Sequence, residues 1–68
     1  SRWKIEMLKI IDQLNKEFSL QDVYNYSLSL ERLFPDNNHI RDKIRQQLQL
    51  IRDDGIIVFL GNGKYSKT

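Results

Sequence analysis

Apolar residues recur in a helical rhythm over the first fifty or so positions of this chain, and in a strand rhythm only near its end. Trp3, Met7, Leu8, Ile11 and Leu14 share one face of a 3.6-residue period and predict a helix from Trp3 to about Asn15. Ser19, with Asp22 three residues on, has the spacing of a capping box in a carboxylate variant. Phe18 and Val23 occupy the two positions of a hydrophobic staple around the same helix start. Val23, Tyr26, Leu30 and Leu33 continue the stripe of a second helix. Pro35 ends it, because the residue before a proline avoids the helical region.

Asp36, Asn37 and Asn38 are turn and cap residues. The third helix follows and runs to about Asp54, with Ile40, Ile44, Leu48 and Ile51 as its apolar seam. Gly55 is the expected terminator. The next five residues, Ile56 to Leu60, are β-branched or bulky and strand-like. Asn62-Gly63 is a strong hairpin signal, since both central residues of the tight turn take positive φ. Lys64 to Lys67 form the return strand, and residues 16–18 are placed to add a short third one.

The order helix, helix, helix, hairpin defines the expected fold. It is α+β, mainly α: a winged helix-turn-helix in which three helices are followed by a β-hairpin wing. Residues 1–68 make one such domain. In this fold the third helix is the recognition helix and the hairpin tip is the wing, although the fold alone does not fix a function.

Composition narrows the classes. The longest apolar run has five residues, far short of the roughly 20 a membrane helix needs. The chain has no cysteine, so neither a disulfide nor a thiolate zinc site supports it. Its single histidine, His39, has no second histidine or cysteine with which to build a metal site. Asp53 and Asp54 are adjacent and diverge on a helix, so they do not form a carboxylate pair. Gly61-Asn62-Gly63 lacks the following helix that a phosphate loop needs. The fragment is therefore expected not to be an enzyme, and to use no cofactor, metal or small-molecule substrate.

The formal net charge is +2, and its placement matters more than its size. Residues 1–34 hold five basic and five acidic side chains; residues 35–68 hold six basic and four acidic. The whole excess lies in the half that carries the third helix and the wing, which favours a polyanionic partner.

The face of the third helix opposite its apolar seam carries Asn38, Asp42, Arg45, Gln46, Gln49 and Asp53, with His39 and Arg41 on its flanks. These types read base edges: arginine forks onto guanine, asparagine and glutamine onto adenine, and a carboxylate accepts from cytosine. A plain solvated face is the competing reading. Arg41 and Arg45 lie four apart, where like charges repel by a few tenths of a kcal/mol, and an anionic partner would relieve that. At the wing, Asn62, Lys64 and Tyr65 are the candidates for the DNA backbone or minor groove, although the turn alone explains Asn62.

From Asn37 onward the chain resembles the C-terminal domain of the DpnI-like, Dam-replacing family of methyl-directed restriction endonucleases. The resemblance is carried by Asn37-Asn38-His39-Ile40, Lys43 to Gln49, Arg52-Asp53, Ile56-Ile57, Phe59, Gly61, Gly63-Lys64-Tyr65 and Lys67. Trp3, Ile5, Leu8, Phe18 and Asp22 extend it more loosely over the first half. It implies a winged helix that binds double-stranded DNA containing N6-methyladenine in the context GATC. It also implies a nuclease domain in cis and a bacterial, cytoplasmic setting. The family's wing carries arginines where this chain has Asn62 and Ser66, so phosphate binding is expected to be weaker and less salt-dependent.

A methyl reader needs an apolar surface, because an amide forked onto adenine uses the hydrogen that methylation replaces. Trp3, at the start of the first helix, is the leading candidate. The aliphatic stems of Arg41 and Arg45, or the His39 ring, are alternatives. A monomer is sufficient for binding. A methylation-indifferent operator binder and a protein-interaction winged helix are the competing functions.

Overall fold

The computed structural model describes residues 1–68 as four helices and a three-stranded sheet. Helix α1 spans Arg2–Gln13, and the side chain of Ser1 accepts from the Lys4 backbone N–H at its start. Strand β1, Glu17–Ser19, leads directly into α2, Leu20–Tyr24. The capping box is formed in both directions: the Ser19 hydroxyl accepts from Asp22 N–H, and the Asp22 carboxylate accepts from Ser19 N–H. Phe18 and Val23, the staple pair, are both buried.

The expected second helix is two helices. Helix α2 stops at Tyr24, and α3 occupies Ser27–Leu33. The cause lies in the intervening hydrogen bonds. The Ser27 hydroxyl donates to the Tyr24 carbonyl at 2.6 Å, and Tyr26 N–H donates to the Val23 carbonyl three residues back. A serine hydroxyl that takes a backbone carbonyl competes with the helical ladder. Tyr26 sits at φ −92°, ψ 6°, outside the helical well.

Helix α4, Ile40–Asp53, ends as its sequence dictates. Gly55 adopts φ +79°, its N–H donates to the Arg52 carbonyl, and Ile56 N–H reaches back to the Ile51 carbonyl. These are the paired bonds of a Schellman motif. Strands β2, Ile57–Gly61, and β3, Lys64–Lys67, form the hairpin, with Asn62 at φ 52° and Gly63 at φ 69° in its two-residue turn. A bulge lies between Phe59 and Gly61.

Strand β3 is central in the order β1-β3-β2, both pairings antiparallel. The short first strand falls one residue later than expected and pairs Phe18 with Tyr65 and Ser19 with Lys64. Leu20 N–H donates to the Gly63 carbonyl and the Lys67 amine to the Leu14 carbonyl, so the wing is fastened to the helical body at both ends of β3.

The core contains Met7, Ile10 and Ile11 of α1, Val23 and Leu30 of the split helix, and Ile40, Ile44, Leu48 and Ile51 of α4. Phe18, Ile57 and Tyr65 close it from the sheet. The α4 seam is buried as its spacing requires. In α1, Ile10 joins the core and Leu8 is only half-buried, a rotation of the stripe away from Leu8. Lys4 forms an ion pair with Asp54, linking the start of α1 to the end of α4.

Candidate nucleic-acid interface

The Asn37 side chain builds the approach to α4. Its Oδ1 accepts from the His39 backbone N–H at 2.7 Å, an Asx turn that replaces a conventional cap. His39 occupies the N-cap position, and its imidazole makes no capping bond. The ring is exposed at the helix start, beside Asn38 and Arg41. An open groove of about 700 Å³ runs here, lined by Ser27, Glu31, Asn38, His39, Arg41 and Asp42 among others.

Along α4, Arg41, Asp42, Arg45, Gln46 and Gln49 are all exposed, on the side away from Ile44, Leu48 and Ile51. Of the side chains expected on this face, these five share it within α4, Asp53 is exposed at the helix end, and Asn38 and His39 precede the helix. The structure also shows how two of the five are held. Arg45 pairs with Asp42 through Nη2, and its Nη1 donates to the Tyr24 hydroxyl at 2.5 Å. The Arg41 guanidinium lies over the Tyr24 ring, 4.7 Å from its centre. Hydrogen bonding to Tyr24, ahead of the pull of Asp42, pushes the Arg45 pKa further above its already high ordinary value.

Tyr24 is the residue that sequence reasoning missed. It lies out of phase with the Val23–Leu30 stripe, and only the approach of α2 to α4 gives it a role. A tyrosine on the polar side of the helix preceding an arginine-bearing helix was the one available signal.

Trp3 is half-buried at the start of α1. Its ring stacks on Phe34 with centroids 4.2 Å apart, and the Lys43 amine of α4 lies 6.0 Å from its centre on approach to the same ring. Arg2 lies over the Phe34 ring at 4.8 Å. Phe34, where that turn begins, therefore forms with Trp3 of α1 an aromatic pair flanked by cations, next to the N-terminal part of α4. Phe34, Lys43 and Arg2 were not expected in this arrangement, because their meeting depends on how α1 packs beside that turn.

At the wing, Asn62 and Lys64 are exposed, whereas Tyr65 is not a surface residue. Tyr65 is 8% exposed, stacked on Phe18 at 5.4 Å and met edge-on by Phe59 at 4.8 Å. Strand alternation is the reason: Lys64 and Ser66 take one face of β3, so Tyr65 takes the core face and is not available to DNA. Burial pushes its phenol pKa up, charge interaction with Tyr24 adds to the rise, and the Arg45 cation opposes it.

The four helices with a three-stranded wing and a polar, arginine-bearing α4 define a winged helix-turn-helix domain. Residues 1–67 match the DpnI_C family, described as the Dam-replacing HTH domain. The chain belongs to this family and is a helix-turn-helix DNA-binding domain. No helix is long and apolar enough to cross a membrane.

Proposed function

We propose that this domain binds double-stranded DNA in a methylation-dependent way, reading N6-methyladenine in a GATC context through the major groove. The carrying observation is the single exposed face of α4, on which Arg41, Asp42, Arg45, Gln46 and Gln49 lie together, with Asn38 and His39 at its leading end. In helix-turn-helix docking, the N-terminal part of the recognition helix meets the base edges. Arg41 and Arg45 fork onto the guanines, and Asp42 accepts from a cytosine amine. Asn38, His39, Gln46 and Gln49 meet flanking bases and phosphates. Asn62 and Lys64 meet the backbone beside the wing.

The methyl-reading surface is assigned to Trp3. Its stack on Phe34 supports the ring from one side, and its nearness to Lys43 places it at the border of α4. In fully methylated GATC the two methyls belong to adjacent base pairs on opposite strands, so one small apolar surface can cover both. Burying a methyl contributes about 0.8 kcal/mol. Two contribute roughly 1.6 kcal/mol, about 15-fold in affinity, and hemimethylated DNA falls midway on a logarithmic scale. In the parent protein the domain serves as the reader module joined in cis to a nuclease domain, in the bacterial cytoplasm, as the family resemblance implies.

The test is binding of the domain to one short GATC duplex in fully methylated, hemimethylated and unmethylated forms at fixed moderate salt. A graded preference of about ten-fold or more supports the reader. Equal affinity for all three leaves a methylation-indifferent DNA binder. Trp3→Ala, if still folded, is expected to abolish the gradation; undiminished discrimination in that variant removes Trp3 from the mechanism.

A further inference from the structure

We propose that Tyr24 is a positioning residue for the DNA-reading face, holding Arg41 and Arg45 of α4 in the poses in which they meet DNA. The inference rests on the reading that this face enters the groove. Tyr24 is the last residue of α2, and its own backbone is fixed on both sides. The Ser19–Asp22 capping box sets the start of α2, and the Ser27 hydroxyl holds the Tyr24 carbonyl at 2.6 Å. The ring and hydroxyl are thereby presented to α4 at a defined place.

The two arginines use different parts of the same side chain. Arg45 donates through Nη1 to the phenol oxygen at 2.5 Å and pairs through Nη2 with Asp42. A guanidinium has five N–H donors. Two directed bonds fix its plane and leave the remaining donors for a ligand. Arg41 lies over the ring face at 4.7 Å, a cation–π contact that consumes none of its donors. Tyr24 thus sits between two like charges that would otherwise repel along one helix face. It orders both long side chains before DNA arrives, so less freedom remains to be lost on binding.

The single-site consequences separate. Tyr24→Phe keeps the ring beneath Arg41 and removes the acceptor for Arg45. Tyr24→Ala removes both. In the free domain, 15N relaxation of the arginine side-chain Nε–H groups reads this without DNA. Tyr24→Phe is expected to mobilise Arg45 alone, and Tyr24→Ala to mobilise Arg41 as well.

With DNA, the affinity for a fully methylated GATC duplex is compared with that for an equally long duplex lacking GATC. The ratio is expected to fall about five-fold in Tyr24→Phe and about twenty-fold in Tyr24→Ala. The slope of log affinity against log salt is expected to stay unchanged, since no phosphate-contacting cation is removed. A packing role alone would lower the thermal midpoint and leave the ratio intact.

Arg45 remaining ordered in Tyr24→Phe, or both variants keeping the parent ratio, overturns the proposal. If Tyr24→Ala does not fold, Tyr24→Phe decides alone. A parent domain that does not distinguish the two duplexes overturns the reading of the face instead. Tyr24 is then judged on the relaxation data and on the GATC duplex alone, whose affinity Tyr24→Phe must lower several-fold.

Discussion

The polar face of α4 and the tip of the wing are both exposed and both carry cations, yet those cations are held in opposite ways. On α4, Arg45 is tied to Asp42 and Tyr24, and Arg41 rests on the Tyr24 ring. At the wing, Asn62 and Lys64 carry no side-chain hydrogen bond or ion pair, and only the backbone is fixed, by positive φ at Asn62 and Gly63. The first arrangement suits directional contacts to base edges, where a fork must arrive at a set angle. The second suits phosphate contact, which depends on charge and tolerates a mobile amine. What distinguishes the two regions is the order of the cations, held at Arg41 and Arg45 and free at Lys64, rather than exposure or charge.

The largest expected effect abolishes the comparison. Ile44 is fully buried in the seam beneath the reading face. Ile44→Ala is expected to destabilise the domain by about 2–5 kcal/mol, which in so small a fold removes much or all of its stability. Urea unfolding followed by circular dichroism measures this, and binding to methylated and unmethylated DNA should be lost together.

Arg45→Ala tests the ordered region alone. It is expected to cost about 1–3 kcal/mol on a methylated GATC duplex and to relax base preference at the contacted position. Titrations against a set of singly substituted duplexes would reveal it; a uniform loss across all of them would mean that Arg45 acts as a phosphate contact, like the wing. Lys64→Ala is the converse probe. It should weaken binding to every duplex alike and make the salt slope shallower by about 0.9. A sequence-dependent loss there would contradict the contrast drawn between the two regions.

The smallest effect is one of pH. Burial raises the Tyr65 pKa above its ordinary 10.0, so the folded state favours the neutral phenol. A raised folded pKa contributes stability that is fully present below the unfolded value and lost as pH rises through the folded one. Thermal stability should therefore show no Tyr65-dependent change through neutral pH and decline above about pH 10. Tyr65→Phe should flatten that decline. A Tyr65 that titrated as an exposed wing residue would return it to the DNA-facing candidates.

Much of the scaffold was legible because its signals are local. The Ser19–Asp22 box, the Phe18–Val23 staple, the glycine stop at Gly55 and the Asn62-Gly63 turn each depend on residues within a few positions of one another. The α4 seam was legible because one helical period sorts Ile40, Ile44, Leu48 and Ile51 from Asp42, Arg45, Gln46 and Gln49. The second helix reads as continuous because its apolar stripe runs unbroken from Val23 to Leu33. That stripe is indifferent to the Ser27 hydroxyl bond that divides it. Tyr65 stands among the wing candidates of the sequence, and what withdraws it is Phe18, its partner 47 positions away in the chain.

What the sequence by itself determined is thus the set of elements, their caps and turns, and which side of α4 is polar. These follow from backbone propensities and periodicity, which act over one or two turns. Only the tertiary structure decided which side chains share a place in space. It put β3 at the centre of the sheet, Trp3 against Phe34 beside Lys43, and Tyr24 between Arg41 and Arg45. Such meetings join residues far apart in the chain, and they are fixed by how the core closes rather than by any pattern along one segment.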